Sequence, residues 1–162
     1  MRRIFSIVAC AVVALAGAGL ILAQGTVNPR VGTWNLNLAK SNFAGMPAPR
    51  SETRTVEAQG NGEKVTFDGV AADGSRIALT FTTNFDGKPV PIVGTGVAGD
   101  ADMATVRRVD SRTQTSTTTK AGKVVATIRL VVSQDGKIIT LTRKATDANG
   151  QPITQVLVWD KQ

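Results

Sequence analysis

The stretch GKVVATIRLVVSQDGKIITLTRKATDANGQ, Gly122 to Gln151, decides the fold class. Val124, Ala126, Ile128, Leu130 and Val132 alternate with Val125, Thr127, Arg129 and Val131, and after Asp135-Gly136 the pattern resumes. Ile139, Leu141, Arg143 and Ala145 then oppose Ile138, Thr140, Thr142 and Lys144, and Asn149-Gly150 closes the second run. A period of two is the signature of a strand with one face buried. Asn-Gly and Asp-Gly favour the tight turns that join antiparallel neighbours.

Working outward, similar turn dipeptides recur at fairly even intervals: Asn61-Gly62, Asp73-Gly74, Asp86-Gly87, Gly99-Asp100, Asp110-Ser111 and Ala121-Gly122. The segments between them keep the period of two. Ile77, Leu79, Phe81 and Phe85 share one face, and Ile153, Gln155, Leu157 and Trp159 share another. Thr113–Lys120, TQTSTTTK, is rich in β-branched residues and reads as a strand rather than a disordered tract. No segment beyond the leader shows a helical period, and Lys40–Arg50, with two prolines, reads as a loop. The expected fold is all-β, an antiparallel up-and-down barrel of about ten strands, with an open sandwich as the alternative.

Upstream, residues 1–23 read as a signal peptide. Arg2 and Arg3 form a short basic head, and Ile4 to Ala23 is an almost uncharged run ending in a small residue. The alternative is a retained membrane anchor, since about twenty apolar residues span a bilayer. Gly17 and Gly19, with Gly25 and Asn28 beyond, favour cleavage. The expected organisation is a signal peptide over 1–23, a linker over 24–30 and a barrel domain over 31–162, exported to the periplasm or medium. Cys10 leaves with the leader, so the exported domain holds together without a disulfide.

At Val31–Phe43, VGTWNLNLAKSNF, a glycine precedes a tryptophan by two residues at the head of an alternating run. Trp34, Leu36 and Leu38 are expected to face inward. This opening resembles the first strand of the calycin superfamily, the lipocalins and fatty-acid-binding proteins. More closely, with the Gly122–Gln151 stretch and the terminal VWDKQ, the chain is similar to small exported lipocalin-like proteins of bacteria, over residues 29–162. The resemblance implies that Trp34 closes the barrel base, with Trp159 on the adjoining last strand, and that a small ligand is held inside. Two departures stand out: a proline-containing loop replaces the helix pair of fatty-acid-binding proteins, and Leu157 and Trp159 stand where those proteins carry an arginine and a tyrosine.

The formal charge is +7, but the basic residues are spread along the chain. Nucleic-acid recognition would need a basic cluster beside stacking aromatics, and none is present. With no histidine and no cysteine beyond the leader, the usual general base, thiol nucleophile and zinc ligands are missing. Asp100 and Asp102 in GDAD lack the fuller oxygen set of a calcium loop. A transmembrane barrel is disfavoured by charges on both faces and by missing aromatic girdles. No enzyme, metal or cofactor is expected, and the only membrane link is the signal peptide.

The candidate ligand contacts are Arg143, Gln155, Arg54, Arg107 and Phe81. Arg143 alternates onto the face of Ile139 and Leu141, where a guanidinium needs an anion or water. It either receives a ligand carboxylate or, the favoured reading, lies near the strand end and pairs with an acid such as Glu57 or reaches solvent. Arg107 and Arg108 are adjacent, so one points inward in either phase, and Arg54 shares a face with Val56 and Ala58. These arginines either form the polar end of a pocket or, again favoured, sit at the rim with their stems over apolar surface. The expected function is binding of a small apolar or amphipathic ligand by a monomer. The alternative is a structural or interaction module of the cell envelope.

Overall fold

The computed structural model of the chain describes residues 28–96 and 100–162. The expected signal peptide, its cleavage site and most of the linker lie outside the described residues. Eleven strands are present: β1 (Gly32–Leu36), β2 (Ser51–Gln59), β3 (Gly62–Val70), β4 (Arg76–Thr83), β5 (Asp86–Pro91), β6 (Val93–Thr95), β7 (Met103–Arg108), β8 (Thr113–Lys120), β9 (Lys123–Val132), β10 (Ile138–Thr146) and β11 (Pro152–Lys161). They form one antiparallel sheet that runs from β5 through β7, β8, β9, β10, β11, β1, β2, β3 and β4 to β6. Because β4 also packs on β5 and β7, the sheet curls into a nearly closed up-and-down barrel.

The register follows the alternation of the sequence. Ile139 faces Val132, Leu141 faces Leu130 and Arg143 faces Ile128 across β9 and β10, so residues assigned to one side of each strand meet on one side of the sheet. Across β10 and β11, Leu141 faces Leu157 and Arg143 faces Gln155. First and last strands adjoin, with Leu36 opposite Trp159. Trp34 at 0% exposure, Trp159, Val56, Val65, Leu130, Val132, Ile139 and Leu141 form the core. Leu38 departs from expectation: β1 ends at Leu36, the chain turns, and Leu38 is left 42% exposed.

The count exceeds ten because the segment after Asp86-Gly87 is two strands. Its first part, β5, pairs with β7, and its second part, β6, pairs with β4 on the opposite end of the sheet. Ile92 lies at the switch, its N–H bonded to the Asp102 carbonyl at 2.9 Å. The two ends of the sheet are thus consecutive in the chain, and one short segment spans the gap. Gly94 permits this, since its φ is +129° and a Cβ there would overlap the Ala78 carbonyl oxygen.

Most Asp-Gly turns differ from the expected two-residue form. Gly136 has φ +70°, whereas Asp135 is not among the positive-φ residues. Gly136 N–H donates to the Ser133 carbonyl at 3.0 Å, which makes a longer loop with a left-handed glycine. Asp135 stabilises it by accepting from Lys137 N–H at 3.1 Å. Ala121-Gly122 carries positive φ at both positions, +47° and +78°, as a two-residue type I′ turn requires. Between β2 and β3 the turn is Gly60-Asn61, one residue earlier than the Asn61-Gly62 expected, because Gln59 already pairs with Gly62.

Candidate functional site

At one end of the barrel, Asn28 and Arg30, from the part of the expected linker that is described, take part in a buried polar cluster. Arg30, only 1% exposed, places Nε 2.7 Å from Glu63 Oε1, and Glu63 is fully buried. Asn28 Nδ2 donates to the same oxygen, and Arg30 Nη1 donates to the Ser111 carbonyl at 2.9 Å. Trp34 Nε1 then donates to the Arg30 carbonyl at 2.9 Å. The Phe85 ring receives the guanidiniums of Arg30 and Arg108, at 5.3 and 4.2 Å from its centroid. Trp34, at 0% exposure, is thus tied to this charged cluster through the Arg30 carbonyl.

The barrel interior holds a cavity of about 170 Å³. Its wall is mostly apolar, with Phe67, Leu79, Phe81, Val106, Ile128, Leu130, Leu141 and Leu157 among its residues. Arg54, Glu52, Gln114, Arg143 and Trp159 supply polar atoms to the same wall. Arg54 is 3% exposed, and its Nε and Nη2 have no hydrogen-bond partner. Its guanidinium stacks on Phe67 at 5.2 Å, and burial pushes its pKa down to about 10 against the pull of Glu63 and Glu52. Gln114 Oε1, on the wall contributed by β8, and Trp159 Nε1 are buried and unpartnered as well.

Glu52 lies two residues from Arg54 on the inner face of β2. Burial pushes its carboxyl up to about 7, with Arg54 and then the Trp159 indole opposing the rise. The indole N–H lies near enough to act as a dipole on Glu52, yet it makes no hydrogen bond of ordinary length.

Toward the other end, Arg143 Nη1 donates to Gln155 Oε1 at 2.9 Å, and Gln155 Nε2 donates to the Phe43 carbonyl at 3.1 Å. This chain of bonds ties the Lys40–Arg50 loop to the cavity wall. Asn42 pairs with Val156, and Ser41 Oγ accepts from Val158 N–H at 2.9 Å, so the loop lies along β11. Arg143 is half-buried, which lowers its pKa.

Of the five candidates, Arg143, Gln155, Arg54 and Phe81 come together inside the barrel. Arg54, expected at the rim, is instead deep in the interior. Arg143 does not meet Glu57, which faces Lys64 at 3.7 Å on the outer surface. Arg107 lies outside the cavity: Ala104 and Val106 are buried, so the odd-numbered positions of β7 turn outward. Four polar wall or base residues were missed, namely Arg30, Glu63, Glu52 and Gln114. For Glu52 and Glu63 a signal existed, since each keeps phase with buried neighbours in its strand; Gln114 had none, because its in-phase neighbours Ser116 and Thr118 are polar and only half-buried.

A depression of about 360 Å³ on the outer face runs between Thr115, Thr127, Thr142 and Lys144, but its polar atoms face solvent rather than being buried without partners. No protein-family model and no curated protein matches the sequence. Among solved structures, the chain is similar to apocrustacyanin C2, a lipocalin, at 10% identity and a TM-score of 0.45. The match covers 83% of this chain and 62% of that one. The strand order by itself establishes an antiparallel, nearly closed up-and-down barrel.

Proposed function

We propose that this barrel is an exported, monomeric binder of a small amphipathic molecule, acting without turnover. The observation that supports it is an apolar interior cavity whose wall includes buried polar atoms without partners. A buried donor or acceptor left unbonded costs about 1–3 kcal/mol, and a ligand that bonds it recovers that cost. Export rests on the leader sequence, with Arg2, Arg3 and the apolar run to Ala23.

Size narrows the ligand. A cavity of about 170 Å³ is close to the roughly 150 Å³ that admits one benzene. It is smaller than the 300–1,000 Å³ common for drug-sized ligands. A long chain or fused-ring ligand would have to extend beyond the enclosed space.

Native mass spectrometry of protein recovered from an exporting host tests both parts. A chain starting near Gln24, monomeric and carrying a small adduct, is expected. Benzene should also shift the NMR resonances of Leu79, Ile128 and Leu141. A chain with neither adduct nor benzene-induced shifts would end the binding reading, and one retaining residues 1–23 would end the export reading.

A further inference from the structure

Resting on that binding reading, we propose that the ligand is a compact, ring-sized monocarboxylate whose carboxylate is taken by the Nε and Nη2 edge of Arg54. Three independent features converge on it. The first is the guanidinium edge itself. Nε and Nη2 are the pair that grips a carboxylate in two parallel bonds, and both are buried and unoccupied. An inward arginine held only for stability would bond protein acceptors, as Arg30 does with Glu63 and Ser111.

The second feature is charge. Glu63 Oε1 is engaged by Arg30 and Asn28 and its buried Oε2 makes no hydrogen bond, so Glu63 acts on Arg54 only through space. Arg54 and Arg143 place two positive groups on the cavity wall, and the single acid there, Glu52, is held largely protonated by burial below pH 7, so it offsets little of that charge. A neutral ligand would leave that excess uncompensated, and a cation would add to it. An anion reduces it.

The third is shape. Phe67 stacks on the Arg54 guanidinium, and Phe81, Leu79 and Leu141 line the space beside it. With about 170 Å³ available, a single ring or a branched chain of similar bulk fits within it, whereas an extended acyl chain would project through its open side. Trp159 Nε1 and Gln114 Oε1 offer one further donor and one acceptor in the same wall.

Benzoate, benzamide, benzyl alcohol and decanoate, titrated into the full-length exported protein at pH 6 and followed by calorimetry and by NMR of the Arg54 Nε–H, test this. Benzoate should bind at least tenfold more tightly than benzamide or decanoate and should shift the Arg54 Nε–H. Arg54→Met should lose the preference for benzoate while still binding benzyl alcohol, and the outer-face change Arg129→Met should alter neither. If Arg54→Met does not fold, the Nε–H shift and the benzoate-to-benzamide ratio of the unaltered protein carry the test. Benzyl alcohol binding without any benzoate preference would overturn the carboxylate assignment, with water joining Arg54 to Glu63, and leave the binding reading intact. Tighter binding of decanoate would overturn the size limit, and no binding of any probe would overturn both readings.

Discussion

Arg30 Nε lies 2.7 Å from Glu63 Oε1 with both side chains sealed from solvent, and this ion pair joins the segment before β1 to the start of β3. Removing one member leaves a buried charge without its partner, a loss of about 3–5 kcal/mol. Glu63→Leu is expected to destabilise the barrel by that amount in urea unfolding. The double change Arg30→Met with Glu63→Leu should cost clearly less than Glu63→Leu alone, because no orphaned charge remains. An equal or larger loss in the double variant would show that the arms of Arg30, and not its charge, hold the base.

The carboxyl of Glu52 gives stability a pH dependence of defined sign. It titrates at about 7 when folded against 4.5 ordinarily, so the folded state holds an extra proton between those values. The stabilisation is complete below pH 4.5 and is lost as pH rises through 7, amounting to about 3 kcal/mol over the window. Glu52→Gln should match the unaltered protein near pH 4 and exceed it at pH 8. Urea unfolding at both values is the measurement, and parallel pH profiles would refute the assignment.

Ligand binding should follow the same group. Once ionised, Glu52 competes with a bound anion for Arg54, so benzoate affinity is expected to fall as pH rises through 7. In Glu52→Gln the affinity should stay level over that range, which calorimetry at pH 6 and pH 8 would show.

Gln155 connects Arg143 to the Phe43 carbonyl. Gln155→Leu removes both bonds at once, and a net contribution of about 1 kcal/mol predicts amide exchange near Phe43 faster by about fivefold to tenfold. Hydrogen exchange with mass readout resolves the Lys40–Arg50 segment. Unchanged protection there would mean that Ser41 and Asn42 anchor the loop unaided.

Gly94→Ala acts on the crossing from one end of the sheet to the other. The new methyl overlaps the Ala78 carbonyl and forces an L-residue to φ +129°, so β6 should detach from β4. A loss of about 2 kcal/mol or more is expected, with concentration-dependent association through the uncovered β4 edge. Thermal unfolding and light scattering measure the two effects.

How much was legible in advance differs from residue to residue. Arg143, Gln155 and Phe81 could be placed on inner faces because each sits among apolar residues at a spacing of two. Arg107 could not, because both neighbouring positions of that strand carry arginine and either phase buries one. The depth of Arg54 was hidden as well: alternation gives the side of a strand but not the height along the barrel axis. Arg30 precedes β1, where no period exists to read.

The sequence by itself determined an antiparallel meander, because side chains alternate in a strand whatever its neighbours are. It also determined that the strands carrying Trp34 and Trp159 lie side by side, since first and last strands adjoin when such a meander curls round. Only the tertiary structure decided that Val93–Thr95 leaves β5 to cap the opposite end of the sheet, which depends on the Gly94 backbone fitting against Ala78. It alone placed Glu52, Arg54, Gln114 and Arg143 around one cavity, because their proximity arises from curvature across strands distant in the chain, and no local spacing encodes that.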